Sequence, residues 1–384
     1  MTVKQDFPVH EQLKVIRRHL HSIPELGLSE YETSKYIAAV LEEWGYKVTN
    51  GIAETGMVAS LIRGNAKRSI GFRADFDALP ILEKTNLPYA SKNVGRMHAC
   101  GHDGHTAMLL GAAWLLKQDE AFSGTVHFIF QPAEENLGGA QIMVREGLFD
   151  RFPCDQIFAL HNCPGLKAGK FASKPGPIAA SVDDVALTIR GKGGHGAQPE
   201  KTVDPIVVAS SIVMALQTIV SRNIAPLDAS VITVGSFNAG AASNVVPDFA
   251  KLEISLRSTN EEVRSTLKGR LKQIAAMQAA SYGADVDFKW MPGYPATVND
   301  VTSFEQARAT IQLHFEADAF ELLEKPFMSS EDFSFMLEET PGAYFLIGNG
   351  DSPELHTSEY DFNDEIIGRG SSFFYNLAKD YLNG

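Results

Sequence analysis

Met97-His98-Ala99-Cys100-Gly101-His102-Asp103-Gly104-His105 runs into an apolar, helix-like stretch from Thr106 to Lys117. A strand-like stretch, Thr125–Phe130, follows and ends in Gln131-Pro132-Ala133-Glu134-Glu135. The first nine residues hold three His, one Cys and one Asp among small residues, a composition suited to a tight turn around a bound metal. The helix and strand that follow form one repeat of a larger pattern.

Upstream, Glu11–Leu20 has helical apolar spacing at Leu13, Ile16 and Leu20. Ser29 with Glu32 makes a capping box for a second helix, whose face is Tyr36, Ile37, Val40, Leu41 and Trp44 and which Gly45 stops. Tyr46–Thr49, Met57–Arg63 and Ser69–Arg73 read as strands, the last running on to Asp75 and Asp77. Downstream, Gly138–Phe149 reads as helix and Gln156–Leu160 as a strand ending at His161. This alternation predicts an α/β fold, a mostly parallel sheet with helices on both faces, in which ligands bind beyond the carboxyl ends of the strands. Asp75/Asp77, Glu134/Glu135 and His161 all fall at such ends, where the Cys100/His102 loop can join them.

After Pro175-Gly-Pro177 the order changes. Asp184–Arg190, Asp204–Val220, Ser230–Ser236, Ala250–Ser258, Glu261–Tyr282 and Ala284–Trp290 read as strand, helix, strand, strand, helix, strand. That βαββαβ order is ferredoxin-like. It predicts a domain at 179–295 inserted into one formed by 1–178 and 296–384. The first fold resumes with a helix at Ser303–Phe315, a Ser330-Glu-Asp332 loop, a strand at Tyr344–Gly348, Leu355-His356 and a closing helix, Ile366–Leu382.

With 34 Lys+Arg against 47 Asp+Glu, the net charge of -13 disfavours nucleic acid and anionic membranes as partners. Lys4, Asp6, His10, Glu11, Lys14, Arg17 and Arg18 leave no apolar region for a signal peptide, and no run of 18 apolar residues is apparent. A cytoplasmic location is expected. Three cysteines argue against a disulfide framework and leave Cys100 free to act as a thiolate.

Cys100, His102, Glu135, His161 and His356 offer thiolate, imidazole and carboxylate donors, a set used by Zn²⁺ and Mn²⁺. Five donors exceed what one tetrahedral ion needs, but two ions about 3.5–4 Å apart, bridged by Cys100, would use them all. In Glu134-Glu135 one acid can bind metal while its neighbour takes and returns a proton. Asp75 and Asp77 suit an outer role, holding ligand imidazoles through their other nitrogen. His195, in the glycine-rich Gly191–Pro199 loop, can donate to a developing oxyanion, and Asn244 and Arg257 can fix a substrate carboxylate. His98, His105, His127, His314, Cys154 and Cys163 read as structural. Two other readings are a thiol hydrolase using Cys100 with His102 or His105, and a non-catalytic protein that binds acyl amino acids or stores metal.

Phe72-Arg-Ala-Asp-Phe-Asp-Ala-Leu-Pro80, Met97–Thr106, Gln131–Glu135, His161, Gly194-His195, Asn244-Val-Val-Pro247, Ser330-Glu-Asp-Phe333 and Leu355-His356 resemble, in order, the motifs of a family of amidohydrolases. That family includes hippurate hydrolases, N-acyl-amino-acid deacylases and auxin-conjugate hydrolases. The resemblance implies a catalytic domain with an inserted lid that also dimerises, and two divalent metal ions, Mn²⁺ or Zn²⁺, with Co²⁺ or Ni²⁺ as alternatives. It implies Cys100, His102, Glu135, His161 and His356 as ligands, Glu134 as general base and acid, and a His195 that serves its own or a partner subunit's site. The implied reaction is hydrolysis of an N-acyl amino acid to a carboxylic acid and a free amino acid, with a dipeptidase or aminoacylase of the broader superfamily as the alternative. That superfamily has His-x-Asp in the first motif and a bridging Asp; this chain has Asp75-Phe-Asp77 and Cys100, as in the hippurate and auxin-conjugate branch.

Overall fold

The fold is that of a computed structural model, which describes residues 9–384; Lys4 and Asp6 of the charged N-terminal run lie outside them. Among these residues the chain separates into two compact units. One comprises 9–176, 298–325 and 332–384, and the other 177–297 and 326–331.

The first unit is built on an eight-stranded sheet in the order Lys47–Ile52, Gly56–Arg63, Gly124–Gln131, Ser69–Asp75, Gln156–Pro164, Gly342–Gly350, Phe171–Ser173 and Phe320–Leu322. Its centre is parallel: Ser69–Asp75 lies between Gly124–Gln131 and Gln156–Pro164, and Gly342–Gly350 continues in the same sense. The antiparallel pairs lie toward the edges, in Lys47–Arg63 and at Phe171–Ser173. The α/β fold class expected from the alternation is therefore present. Phe72, Val126, Phe128, Phe130 and Phe158 face a core shared with the helices His10–Ser22, His102–Gln118 and Ile367–Asn383. Ile129 and Ile157 point the other way, as the period of two requires, and helix Gly139–Arg145 packs against the strand that carries Ile129.

Helix His102–Gln118 has no polar face; 13 of its 17 residues are buried, so both neighbouring helices press on it. Gly111 permits the closest approach: a Cβ there would lie 2.1 Å from Ser371 Oγ, which instead hydrogen-bonds Met108 O at 2.9 Å. This helix begins four residues before the expected Thr106, so His102, Asp103 and His105 sit on its first turn and not on a loop.

Two other local expectations fail. The Ser29/Glu32 capping box does not form; the helix is Tyr31–Glu43, and Glu25 reaches over from the preceding turn to accept Thr33 N–H at 2.8 Å. The helix expected over Gly138–Phe149 is two short ones, Gly139–Arg145 and Leu148–Arg151, separated by Gly147 at φ +81°.

The second unit has an antiparallel sheet in the order Ser230–Ala239, Phe249–Ser258, Ser181–Arg190 and Asp285–Trp290. The helices Pro205–Asn223 and Glu261–Ser281 cover it, giving the βαββαβ order. Segment 326–331 also belongs to this unit: Arg257 Nη1 donates to Met328 O at 2.9 Å, and Ala180 N–H to Ser329 O at 2.9 Å. Pro205–Asn223, with a mean hydropathy of 1.5, is long and apolar enough by length and composition to cross a membrane, although no such run was apparent in the sequence. Its buried stripe of Val208, Ala209, Ile212, Leu216 and Ile219 packs in the core of this unit.

Candidate metal centre and active site

Parallel pairing sets Asp75 beside Gln131, and His161 beside Leu346, so several strands deliver polar side chains toward the N-terminal turn of helix His102–Gln118. The donor atoms of Cys100, His102 and His161 lie within 4.8 Å of one another; so do those of Cys100, Glu135 and His356, and those of His102, Glu134 and Glu135. Cys100 Sγ is 3.4 Å from His161 Nε2, and His356 Nε2 is 3.4 Å from Glu135 Oε1. One cluster thus brings together all six residues expected to bind metal or move the proton.

Two of the three imidazoles, those of His102 and His161, are oriented by their other nitrogen. His102 Nδ1 meets Asp77 Oδ1 at 3.1 Å and Asp77 O at 3.0 Å, and His161 Nδ1 meets Asn162 O at 2.6 Å. Carbonyl and carboxylate oxygens only accept, so both Nδ1 atoms carry hydrogen and both Nε2 atoms face the cluster. His356 is set at φ +62° and anchored by its own N–H to Ala99 O at 2.8 Å.

Burial would push the His102 imidazole down, yet the carboxylates of Asp75, Asp77 and Glu135 carry it up to about 10. Burial pushes the Cys100 thiol well above its usual range, and the charges of Glu135, Glu134 and Asp75 add to the rise. Burial also pushes His161 down to about 4. An acidic cluster that opposes a free thiolate but offers sulfur, nitrogen and oxygen donors suits cations. His102 Nε2 and Glu135 Oε1 are buried without a hydrogen bond, as expected for atoms that would face a metal. The residues present therefore fit a bound metal.

Residues 71–380 match the profile of peptidase family M20/M25/M40. Over 372 residues the chain is 41% identical to a hippurate hydrolase of Campylobacter jejuni, covering 97% of each chain. It is 40% identical to an IAA-amino acid hydrolase of Arabidopsis thaliana over 379 residues, 96% of this chain and 85% of the relative. The crystal structure of Bacillus subtilis YXEP, described as a dinuclear metal binding peptidase, superposes with a TM-score of 0.85 at 36% identity, covering 98% of this chain and 99% of that one. The chain belongs to peptidase family M20/M25/M40. Members of the M20 branch are metal-dependent amidohydrolases.

The two outer aspartates of this M20 chain divide their work unexpectedly. Asp77 holds His102 as anticipated, but Asp75 takes Arg73 Nη1 at 2.7 Å and His105 Nδ1 at 2.6 Å, and stands 3.8 Å from His102 Nε2. His105, read as structural from sequence alone, accepts Asn162 N–H at 3.1 Å through Nε2; its place one turn beyond His102 was the available signal. Asn162 in turn donates to Cys100 O at 2.6 Å. Arg73, wholly inside the fold, also binds Gln131 Oε1 at 2.7 Å and Asp332 Oδ1 at 3.0 Å. No spacing rule could have revealed that partnership across 259 residues.

In the second unit, His195 pairs with Val245, so Asn244 is its near neighbour. His195 Nδ1 accepts Ala197 N–H at 3.1 Å, which leaves hydrogen on Nε2 of an exposed ring. Asn244 is exposed, while Arg257 spends one N–H on Met328 O.

Proposed function

We propose that this protein hydrolyses the amide bond of N-acyl amino acids, hippurate-like, acetyl or indole-acetyl conjugates, to a carboxylic acid and a free amino acid. The observation that carries the reading is the convergence of Cys100, His102, Glu135, His161 and His356 beside Glu134. Those five residues would hold two divalent ions, Mn²⁺ or Zn²⁺ in preference to Co²⁺ or Ni²⁺. When bound, such a pair lowers the pKa of water and polarises the amide carbonyl.

The chain's own groups then have defined tasks. Glu134 Oε takes the proton from the attacking water and returns it to the leaving nitrogen. Asp77 keeps His102 in the tautomer that presents Nε2. His195, in its own or a partner's site, donates from Nε2 to the oxygen on which negative charge develops. Asn244 and the N–H groups left on Arg257 bind the substrate carboxylate. A thiol hydrolase is disfavoured because burial of Cys100, reinforced by the carboxylates around it, opposes the free thiolate such chemistry needs.

Three free thiols, Cys100, Cys154 and Cys163, fit a cytoplasmic setting. Exposed Met214, Val231, Phe237 and Phe249 on the second unit favour a homodimer through 179–295. The test is to strip the purified protein of metal, restore each ion singly, and follow amino-acid release from N-benzoylglycine, indole-3-acetyl and N-acetyl amino acids, with dipeptides as contrast. Metal-dependent release from acyl amino acids in preference to dipeptides supports the proposal. No release from any member of the panel, with metal loaded, overturns it.

A further inference from the structure

We infer that Glu30 is a positioning residue for Glu134, acting through the backbone amide of Ala133. The inference rests on the proton-transfer role proposed for Glu134.

Glu30 stands at the N-terminal boundary of helix Tyr31–Glu43, where a carboxylate would ordinarily serve the helix or remain in water. It is instead wholly buried. Oε1 accepts Ala133 N–H at 3.0 Å, and Oε2 accepts Thr55 Oγ1–H at 2.7 Å. Burying a carboxyl group is unfavourable unless its oxygens are satisfied, so its placement implies that it secures something.

What it secures is an unusual backbone. Ala133 sits at φ +54°, in the left-handed region that residues with a Cβ avoid and that persists only where the surroundings over-determine it. Glu30 fixes the Ala133 amide, Gly139 N–H fixes the Ala133 carbonyl at 3.0 Å, and Gly27 lies against the methyl so closely that a Cβ on Gly27 would be 2.9 Å from it. Two residues on, Asp77 Oδ2 accepts Glu135 N–H at 3.0 Å. Glu134 therefore lies between two amides, each held by a buried carboxyl group. Asp77 also holds His102, whereas the side-chain hydrogen bonds of Glu30 go to Ala133 and Thr55, neither of them a metal donor. The hydrogen-bonded route from Glu30 to the chemistry thus runs through the direction in which Glu134 is presented.

The test uses the metal-loaded, full-length chain and its E30A, E30Q, E30D and E134Q variants. Metal content, thermal midpoint, kcat and KM are measured on N-benzoylglycine, or on whichever acyl amino acid of the panel above is turned over fastest. Misplacing a reacting group by about 1 Å costs up to about 10²-fold. E30A is expected to keep its metal, hold KM within about twofold and lose about tenfold or more in kcat. E30Q, whose amide oxygen can still accept Ala133 N–H, should recover most of that loss, and E30D, shorter by one methylene, should not. Wild-type kcat in E30A overturns the inference. So does a loss in E30A that E30Q fails to rescue and that follows metal content or thermal midpoint, since that marks a purely structural residue. Should E30A not fold, the comparison of E30Q with E30D decides by the same criterion. E134Q separates the two claims: a fully active E134Q removes the role of Glu134 itself, while an inactive E134Q beside a fully active E30A removes only that of Glu30.

Discussion

His102 donates its Nδ1 hydrogen toward Asp77 Oδ1 at 3.1 Å, and the other oxygen of the same carboxylate accepts the Glu135 amide at 3.0 Å. One buried side chain thus orients two residues assigned to metal from different parts of the chain. Asp77→Ala should weaken metal binding by about 10–100-fold, the usual range for losing such a partner. Competition with a chelator measures it; wild-type affinity in the variant would remove Asp77 from the account.

Gly101, between Cys100 and His102, is at φ +92°, and a Cβ there would lie 2.3 Å from Asn162 Nδ2, the group that holds Cys100 O. Gly101→Ala therefore combines left-handed strain of about 1–3 kcal/mol with displacement of Asn162. Gly95 is also left-handed, at φ +79°, but has nothing within 4 Å of a Cβ, so Gly95→Ala reports the strain alone. Both variants should lower the thermal midpoint, and only Gly101→Ala should lose metal affinity. Equal metal affinity in the two would contradict the role given to Asn162.

His21 lies in a buried network with Asp103 Oδ2 at 2.8 Å and Glu83 Oε1 at 3.3 Å, beside Arg17, which pairs with the same Asp103 oxygen at 3.1 Å. Burial would lower its pKa, but the hydrogen bond and charge of Asp103 carry it from 6.5 to about 9. A raised folded value means the charged form stabilises the fold. The contribution is complete below about pH 6.5 and disappears as pH rises through about 9. His21→Gln should remove this component, flattening the fall of thermal midpoint across that interval. Parallel curves for variant and wild type would rule the network out as a source of pH dependence.

The strand ends were legible because each is an apolar run closed by charged residues, as in Thr125–Gln131 followed by Glu134-Glu135. The polar residues that meet there were legible as residue types, since small neighbours around Cys100 and His102 leave little else for them to do. Phe171–Ser173 and Phe320–Leu322 were not, because three residues show no period. Nothing in the sequence singled out Glu30, which lies between the residues of the Ser29/Glu32 box, and Arg17 stood out only as part of the charged N-terminal run. Both are buried against partners more than 80 residues away, Ala133 and Asp103, and only the packed fold makes that visible.

The most direct measurement on the central claim is Glu134→Gln, which removes the proton acceptor while keeping the shape of the side chain. Metal content should stay at the wild-type value and kcat on the preferred acyl amino acid should fall by about 10²–10⁴-fold, the range for losing a general base. Wild-type turnover in a fully metal-loaded Glu134→Gln protein would contradict the account.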